Sequence, residues 1–412
     1  MSDPVEIREQ VRRWIDSAWQ PELSLIEWRA RLADAGWACP AWPREWGGRL
    51  LPAAAADVVA EELANAGVPG PPEGVGMHLA APTILEHGSD DLKARFLRPT
   101  VTGEITWCQL FSEPGAGSDL AGLTTRAERH GDEWLVSGQK VWNTGAVQAD
   151  FGLLLARTDW DAPKHRGIAY FVLPMRQAGI EVRPLRQMNG HASFNEVFLD
   201  GARVPASNLI GRAGDGWKVA LTTLAHERRL APMRRAGSGE RASGRASREA
   251  IAERVAVSEP HRWYPQRAGR PDLVVDRAVA AGKALDPIVR QEIAKLVALA
   301  WSAKWTAQRA AVARALGRPG PEGSLGKLAS SNIARAAARV HALISDASAM
   351  LAGPDSPLDG TITEIFLSVP AISIAGGTDE IQRNILAERI LGLPKEPETD
   401  RDVPFRSVPK NG

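Results

Sequence analysis

The chain has few cysteines and almost no net charge, and both features exclude classes of protein. Its 412 residues include only two cysteines, Cys39 and Cys108, so no disulfide framework is available and a reducing compartment is expected. Fifty basic residues stand against 49 acidic ones, which gives a formal charge of +1. Such a chain lacks the positive field that gathers nucleic acid or an anionic membrane. We therefore expect no nucleic-acid partner.

Long apolar runs and paired metal ligands are also missing from the sequence. No apolar stretch approaches the roughly 20 residues that cross a bilayer, and the first residues, MSDPVEIREQVRRW, lack the apolar core of a signal peptide. The eight histidines are scattered without a His-x-x-x-His spacing or a cysteine pair, so no metal site is expected. We expect a cytoplasmic protein without a membrane span.

The spacing of apolar residues divides the chain into three parts. Residues 1–104 have apolar positions three and four apart, which is typical of helices. Between residues 105 and 212 short segments alternate or run apolar, and Gly131-Asp132 predicts a hairpin between two of them. Helical spacing returns over residues 213–412. We predict an α+β fold with a helical N-terminal domain, a central β-barrel or sandwich and a C-terminal four-helix bundle.

The chain that follows the β-domain contains one segment of unusual composition. A long helix is predicted over residues 217–234, and further long helices over residues 287–316, 324–351 and 378–391. Residues 236–270 are rich in Arg, Ser, Gly and Glu, and we expect them to be partly exposed and mobile.

Two segments of the β-domain have the composition of a ligand-facing loop. Residues 112–119, the glycine-rich segment, have the sequence Ser-Glu-Pro-Gly-Ala-Gly-Ser-Asp, and Gly115 and Gly117 permit positive φ and close approach to a ligand. Residues 139–145, the tryptophan segment, have the sequence Gln-Lys-Val-Trp-Asn-Thr-Gly, in which Trp142 adds a flat aromatic surface. We expect both segments on loops that connect strands. By composition alone, a Gly/Pro turn explains the first segment more simply.

A third segment completes a pattern that identifies a family resemblance. Residues 376–385, the C-terminal motif, have the sequence Gly-Gly-Thr-Asp-Glu-Ile-Gln-Arg-Asn-Ile. In order and spacing the three segments resemble those of the acyl-CoA dehydrogenase family, and the likeness spans nearly the whole chain. It implies FAD as cofactor and the α,β-dehydrogenation of an acyl-CoA thioester to a trans-2-enoyl-CoA. Nitroalkane oxidation and flavin hydroxylation on the same fold stay open, because fold alone does not set function.

The resemblance assigns roles to individual residues. It implies that Gln109, Phe111 and Ser112 contact the pyrimidine edge of the flavin. Trp142 and Thr144 would lie beside the reacting nitrogen. Thr378 and Glu380 would lie near the diphosphate and ribityl groups. Ser118 would line the entry used by the CoA moiety. The start of the last predicted helix would also offer free N–H groups to the diphosphate.

The catalytic base is the point where this chain departs from many relatives. Those relatives carry a glutamate immediately before the Gly-Thr of the C-terminal motif, where this chain has Gly376. Others carry the base in a Glu-Arg pair on the helix after the β-domain, which matches Glu227 and Arg228 here. The resemblance therefore implies Glu227 as base, with Arg228 at the substrate. Without it, Glu227 is more simply a helix carboxylate balanced by its basic neighbours. Asp379 and Glu380 are rival carboxylates.

A mechanism follows from these assignments. The thioester carbonyl would accept hydrogen bonds from the backbone N–H of Gly376 and from a flavin hydroxyl, which acidifies the α-hydrogen. Glu227, desolvated by the acyl chain, would take the α-proton while the flavin accepts the β-hydride.

Two missing features leave the assembly open. The family's Arg-x-Gln-Phe-Gly segment, which reaches a neighbouring subunit's FAD, is absent between residues 236 and 287, and the glutamine and glycines usual near residues 349–353 are reduced to Ala349 and Gly353. Residues 320–327 resemble a divergent bacterial branch of the family. One alternative is a homodimeric or homotetrameric enzyme that passes electrons to an electron-transfer flavoprotein. The other is a non-catalytic or half-site subunit of a heterotetramer with a related chain.

Overall fold

The computed structural model describes residues 3–230, 243–318, 320–397 and 400–409, without the side chains of residues 228–230, 314 and 315. The chain divides into two compact units. The first comprises Met1–Leu185, Ser193–Ser258 and Glu398–Gly412, and the second comprises Arg186–Ala192 and Glu259–Pro397. Each unit has apolar clusters of its own.

The first unit begins with five helices whose starts are encoded locally. They are α1 (Pro4–Ala18), α2 (Leu25–Asp34), α3 (Ala55–Asn65), α4 (Ala81–His87) and α5 (Asp90–Thr102). Ser24 caps α2 in a reciprocal arrangement with Glu27, and Ser89 caps α5 through the backbone N–H of Leu92. The buried indole of Trp28 packs among apolar residues of α1 and α3. Side-chain caps thus start α2 and α5, and the burial of apolar faces holds the helices together.

The predicted central β-domain is confirmed as one connected sheet of eight strands. The strands are β1 (Trp107–Leu110), β2 (Arg126–His130), β3 (Glu133–Thr144), β4 (Phe151–Arg157), β5 (Ile168–Pro174), β6 (Ile180–Leu185), β7 (Phe194–Pro205) and β8 (Leu209–Ile210). Their order is β6-β7-β3-β2-β4-β5-β8, and β1 pairs with β4 in parallel. The hairpin predicted at Gly131-Asp132 joins β2 to β3, with His130 opposite Glu133.

The centre of the sheet is buried on both faces. Leu153 and Leu155 of β4 belong to one apolar cluster and Leu154 to another, because successive side chains of a strand point to opposite faces. This explains why β4 and β5 are nearly continuous apolar runs instead of alternating segments.

Strand β3 corrects one expectation from the sequence. The tryptophan segment does not lie on a connecting loop, because residues 139–144 belong to β3 and pair with β7. Two register shifts, between Val136 and Gly138 and between Lys140 and Asn143, interrupt the alternation of the strand. The irregular spacing of apolar residues after Ser137 is typical of a strand end, but β7 continues to pair with β3 as far as Thr144.

The chain after the sheet corrects a second expectation. Helix α6 (Gly216–Leu230) follows β8, and residues 231–242 lie outside the described residues. Within the segment predicted to be mobile, residues 245–258 form helix α7 (Arg245–Ser258). Glu249 accepts a hydrogen bond from the backbone N–H of Leu25 at 2.7 Å, and Glu253 pairs with Arg29 at 2.5 Å. The charged composition therefore serves docking onto α2.

The second unit is helical, which confirms the helical C-terminal region. Its helices are α8 (Tyr264–Arg267), α9 (Val274–Ala280), α10 (Pro287–Ala315), α11 (Glu322–Ser345), α12 (Thr361–Ser368), α13 (Pro370–Ile374) and α14 (Asp379–Arg389). Helix α11 is central, since its buried residues Ala337 and Val340 pack with α9 and α10, and its Ala334 and Ala338 pack with α12.

One stretch of the described chain, Pro357–Arg389, has the length and mean hydropathy of a membrane span. It consists of the separate helices α12, α13 and α14, and residues 375–378 between the last two are not helical. None of the three reaches the roughly 20 residues that a span requires.

Candidate functional site

Residues of strand β3 donate hydrogen bonds to the backbone carbonyls of residues 109–112, at the end of β1. Asn143 Nδ2 donates to the carbonyl of Gln109 at 2.7 Å, and Lys140 Nζ donates to that of Phe111 at 3.1 Å. The backbone N–H of Val141 donates to the carbonyl of Ser112 at 2.9 Å. Three residues that the resemblance assigns to the flavin are thus fixed from one side by the tryptophan segment.

A buried ion pair joins the two segments more tightly. Glu113 Oε1 lies 2.8 Å from Lys140 Nζ, and neither side chain is more than 5 % exposed. Glu113 also accepts hydrogen bonds from the backbone N–H groups of Thr124 and Thr125. Burial raises the pKa of Glu113, but the charge and hydrogen bond of Lys140, with those N–H donors, outweigh it and hold the pKa at about 2. Glu113 is therefore a structural anion and not a proton carrier.

Trp142 combines exposure with an unusual backbone. Its φ is +64°, a left-handed conformation that non-glycine residues rarely adopt, and its side chain is 57 % exposed. The ring lies edge-on to Phe194 at 5.8 Å, and Thr144, two residues further, is half-buried. Backbone strain of this kind persists only where the surrounding structure enforces it. The register shift in β3 therefore presents a flat aromatic surface outward.

Gly115 and Gly117 of the glycine-rich segment are exposed, but their backbone differs from the expectation. Gly115 and Gly117 are not among the glycines with positive φ. A Cβ placed on either would meet no atom of the described chain within 4 Å. Ser118 is also exposed. Space next to these residues is open, so a ligand could approach their backbone.

Helix α6 is anchored to the sheet one turn before Glu227. Thr223 Oγ1 lies 3.0 Å from Tyr170 Oη on β5 and 2.8 Å from Thr83 Oγ1 on α4. Burial raises the pKa of Tyr170, and the negative charge of Glu227 adds to the rise. The end of α6 is thereby held close to the buried face of the sheet.

Gln109 and Glu227 come together in this unit. Gln109 Nε2 donates to Glu227 Oε2 at 3.5 Å, and both side chains are half-buried. The contact joins the first strand of the sheet to the helix that leaves it. A residue assigned to the flavin and the residue assigned as base are therefore neighbours.

The C-terminal motif lies in the second unit and forms a tight helix start. Gly376 and Gly377 have φ of +69° and +86°, which favours glycine. Thr378 caps α14 by accepting the N–H of Ile381 at 3.2 Å, and Gln382 Nε2 donates to the carbonyl of Gly376 at 3.2 Å. A side chain at position 376 would meet no described atom within 4 Å, although the backbone would strain it.

The rival carboxylates of this motif are engaged. Asp379 is 2 % exposed and pairs with Lys327 at 3.2 Å and with Arg335 at 3.0 Å, which ties α14 to α11. Glu380 is exposed and pairs with Arg383 at 3.4 Å. Asp379 therefore fixes the start of α14 to α11, whereas Glu380 is accessible from solvent.

The structure describes only part of what remains of the predicted site. Arg228 belongs to α6, and its side chain lies outside the described part of the chain. Among the described residues there is no group of three or more His, Cys, Asp or Glu side chains that could hold a metal ion. Sequence reasoning missed the roles of Glu113 and Lys140, for which the only signal was a charged residue in each segment.

Three family models match successive parts of the chain. They describe the N-terminal, middle and C-terminal domains of acyl-CoA dehydrogenases and match residues 3–104, 108–202 and 274–391. The chain belongs to the acyl-CoA dehydrogenase family. Members of this family are oxidoreductases and generally depend on FAD, so the resemblance drawn from the sequence is confirmed.

Relatives and solved structures agree with this assignment. Acyl-CoA dehydrogenase FadE34 of Mycobacterium tuberculosis is 39 % identical over 88 % of this chain, which spans about half of that protein (46 %). Acyl-CoA dehydrogenase IpdE1 of the same organism is 33 % identical over 96 % of this chain and 99 % of its own length. The Tcur3481-Tcur3483 steroid ACAD has a TM-score of 0.66 at 26 % identity, covering 95 % of this chain and 98 % of its own. The ChsE4-ChsE5 complex from Mycobacterium tuberculosis has a TM-score of 0.62 at 26 % identity, covering 96 % and 99 %.

Proposed function

We propose that this member of the acyl-CoA dehydrogenase family oxidises an acyl-CoA thioester to a trans-2-enoyl-CoA, with Glu227 as the base that removes the α-proton. The contact between Gln109 and Glu227 carries this proposal. It brings the carboxylate of Glu227 next to a residue that the family resemblance assigns to the flavin. A carboxylate that served only to balance the neighbouring arginines would not need to lie there.

Features of the first unit fit FAD. Trp142 offers an exposed ring on a strained backbone, and open space lies beside Gly115 and Gly117. The buried Oδ1 of Asn143 has no hydrogen-bond partner among the described residues, although its Nδ2 is used. The residues of this unit that would hold the cofactor are Gln109, Phe111, Ser112, Trp142 and Thr144. The family resemblance also assigns Thr378 and Glu380, which belong to the second unit, to FAD. FAD bound there would accept the hydride of the β-carbon.

The protein's own groups would perform the proton chemistry. The amide of Gln109 donates to the Glu227 carboxylate and so holds it beside a residue assigned to the flavin. An acyl chain that displaces water from Glu227 would raise its affinity for a proton and match it to the acidified α-carbon. The family resemblance assigns the N–H of Gly376 to the thioester carbonyl, Ser118 to the entry used by the CoA moiety, and Arg228 to the substrate.

The base is tested by Glu227→Gln. The variant should retain FAD, because glutamine keeps the size of the side chain beside Gln109 and strand β3 still holds residues 109–112. It should reduce the rate of flavin bleaching by acyl-CoA at least about 1000-fold. Glu86→Gln is a matched control, because Glu86 is an exposed carboxylate that touches Thr222 of the same helix. Undiminished bleaching by Glu227→Gln would refute the base.

A panel of acyl-CoA esters would identify the substrate. One solved relative is named a steroid ACAD. The open space at Gly376 supports a bulky or branched acyl group in this chain too. Straight-chain, branched and steroid-side-chain esters should therefore be compared by the rate at which each bleaches the flavin, with the bulky esters fastest. An electron-transfer flavoprotein is the proposed acceptor.

A half-site subunit of a heteromer is the second candidate. Two solved relatives are named as pairs of chains, and the family segment that reaches a neighbour's FAD is missing here. Assembly is also supported by helix α10, which exposes several large apolar side chains on one face in the described structure: Val297, Trp301, Trp305 and Val312. A homogeneous preparation without flavin absorbance that gains it on mixing with a related subunit would favour this candidate over the stand-alone enzyme.

A further inference from the structure

The C-terminal segment, residues 400–409, docks on the loop between β4 and β5 of the first unit. The backbone N–H groups of Phe405 and Arg406 donate to the carbonyls of Ala162 and Trp160 at 3.1 and 3.0 Å. The ring of Phe405 is 3 % exposed, and its centroid lies 3.3 Å from Arg157 Cζ. The segment therefore stacks an aromatic ring on a guanidinium.

Arg157 is an unusual residue to find under that ring. It is fully buried, and its three hydrogen bonds all go to backbone carbonyls: Ala121 at 2.7 Å, Lys164 at 3.0 Å and Leu123 at 3.1 Å. Among the described residues no carboxylate lies within ion-pair distance of it. The charges of Glu113, Asp119 and Asp159 act on it from farther away. A buried cation without a direct ion pair also depends on such carbonyl dipoles and on the face of an aromatic ring.

Two of the three carbonyls held by Arg157 lie directly after the glycine-rich segment. Ala121 and Leu123 lie in and directly after the helical turn Leu120–Gly122, which follows Ser118 and Asp119. Lys164, whose carbonyl Arg157 also binds, pairs with Asp119 at 2.5 Å. A continuous set of contacts thus runs from the ring of Phe405 to the residues next to Ser118.

We propose that Phe405 is a positioning residue for substrate, because the C-terminal segment holds the loop around Ser118 in place through Arg157. The inference rests on the proposed function in assigning Ser118 to the CoA moiety. Without the ring, water reaches the guanidinium face, and the bonds to Ala121 and Leu123 compete with hydration. The loop then loosens, and substrate binding weakens while the chemical step is kept.

The test compares three full-length variants of the FAD-bound protein. Phe405→Leu keeps an apolar side chain but removes the ring, and Phe405→Tyr keeps the ring. Arg406→Ala is the control, because it removes only the surface ion pair with Asp161. Hydrogen exchange of the amides at residues 118–123 is measured, together with KM and kcat for the acyl-CoA ester that bleaches the wild-type flavin fastest.

Phe405→Leu should raise the exchange rate of these amides and KM each about tenfold, with kcat within about twofold. Phe405→Tyr and Arg406→Ala should match the wild type. Unchanged exchange in Phe405→Leu would overturn the proposal, and so would a rise that extends equally to β4 and β5, since that indicates general destabilisation. If Phe405→Leu fails to accumulate, full-length Phe405→Met, which keeps a larger apolar side chain but has no ring, must show the same local rise. Exchange needs no substrate, so an inactive wild type would refute the proposed function and leave this test valid.

Discussion

Glu113 and Lys140 form an almost fully buried ion pair, 2.8 Å long, between positions 27 apart in the sequence. The pair connects the glycine-rich segment to strand β3, and the same Lys140 Nζ binds the carbonyl of Phe111. Two motifs that look independent in the sequence are thus one structural assembly. Glu113 and Lys140 thus join the two motifs to each other instead of facing the ligand.

Removing one member of this pair should destabilise the first unit strongly. Lys140→Met leaves the Glu113 carboxylate buried without its cation, which costs about 3–5 kcal/mol of unfolding free energy. Lys93→Met removes a pair with the exposed Asp90 and should cost less than about 1 kcal/mol. Urea unfolding of both variants measures the difference. Equal losses of unfolding free energy in the two variants would mean that the buried pair stabilises the fold no more than a surface pair does.

Acid should weaken the protein through the same carboxylate. The pKa of Glu113 is about 2 in the fold and 4.5 ordinarily, so between these values the unfolded chain binds more protons. The stabilisation, about 3 kcal/mol, is complete above pH 4.5 and is lost as the pH falls towards 2. The wild type and Glu113→Gln should therefore differ in unfolding free energy at pH 6 and converge near pH 2. A difference that is independent of pH would contradict the assigned pKa.

Trp142 should matter for the cofactor and not for folding. Because its side chain is 57 % exposed, Trp142→Ala should change the unfolding free energy of the FAD-free protein by less than about 1 kcal/mol. Loss of an aromatic contact with the flavin should weaken FAD binding by about 1–2 kcal/mol, or roughly 5- to 30-fold. FAD titration measures this, with Val147→Ala as the control at an exposed apolar residue nearby. Wild-type affinity in Trp142→Ala would exclude a stacking role.

The apolar surface of α10 should be an assembly surface. Trp301, Trp305 and Val312 are 46 %, 59 % and 60 % exposed, and their spacing places them on one face of the helix. Changing both tryptophans to serine should lower the oligomeric state measured by sedimentation. Leu299→Ser, roughly 200° around the helix from Trp301, is the control. Dissociation of the control alone would place the interface on another face.

Local patterns predicted several elements because they need only neighbouring residues. The hairpin at Gly131-Asp132 depends on the conformations of a few residues. The change of apolar period near residue 105 predicted the boundary between helices and sheet, because period follows the geometry of each element. The three motifs indicated the family because they, too, are short local patterns of residues.

Packing between distant segments could not be predicted in this way. Helix α7 was missed because its charged residues bind partners on α2, more than 200 positions away. Strand β3 was cut short because its register shifts break the alternation, and only pairing with β7 carries it on. The positive φ expected of Gly115 and Gly117 occurs instead at Trp142, where the shifted register enforces it.

The sequence by itself determined the family, the order of helices and sheet, and Glu227 as the candidate base. Only the tertiary structure placed Glu227 beside Gln109, 118 positions away, paired Glu113 with Lys140, and brought Phe405 onto Arg157. Periodicity and capping act over a few residues. These pairs form only when the chain buries its apolar surface and brings distant segments together, so their energies belong to the fold and not to any one segment.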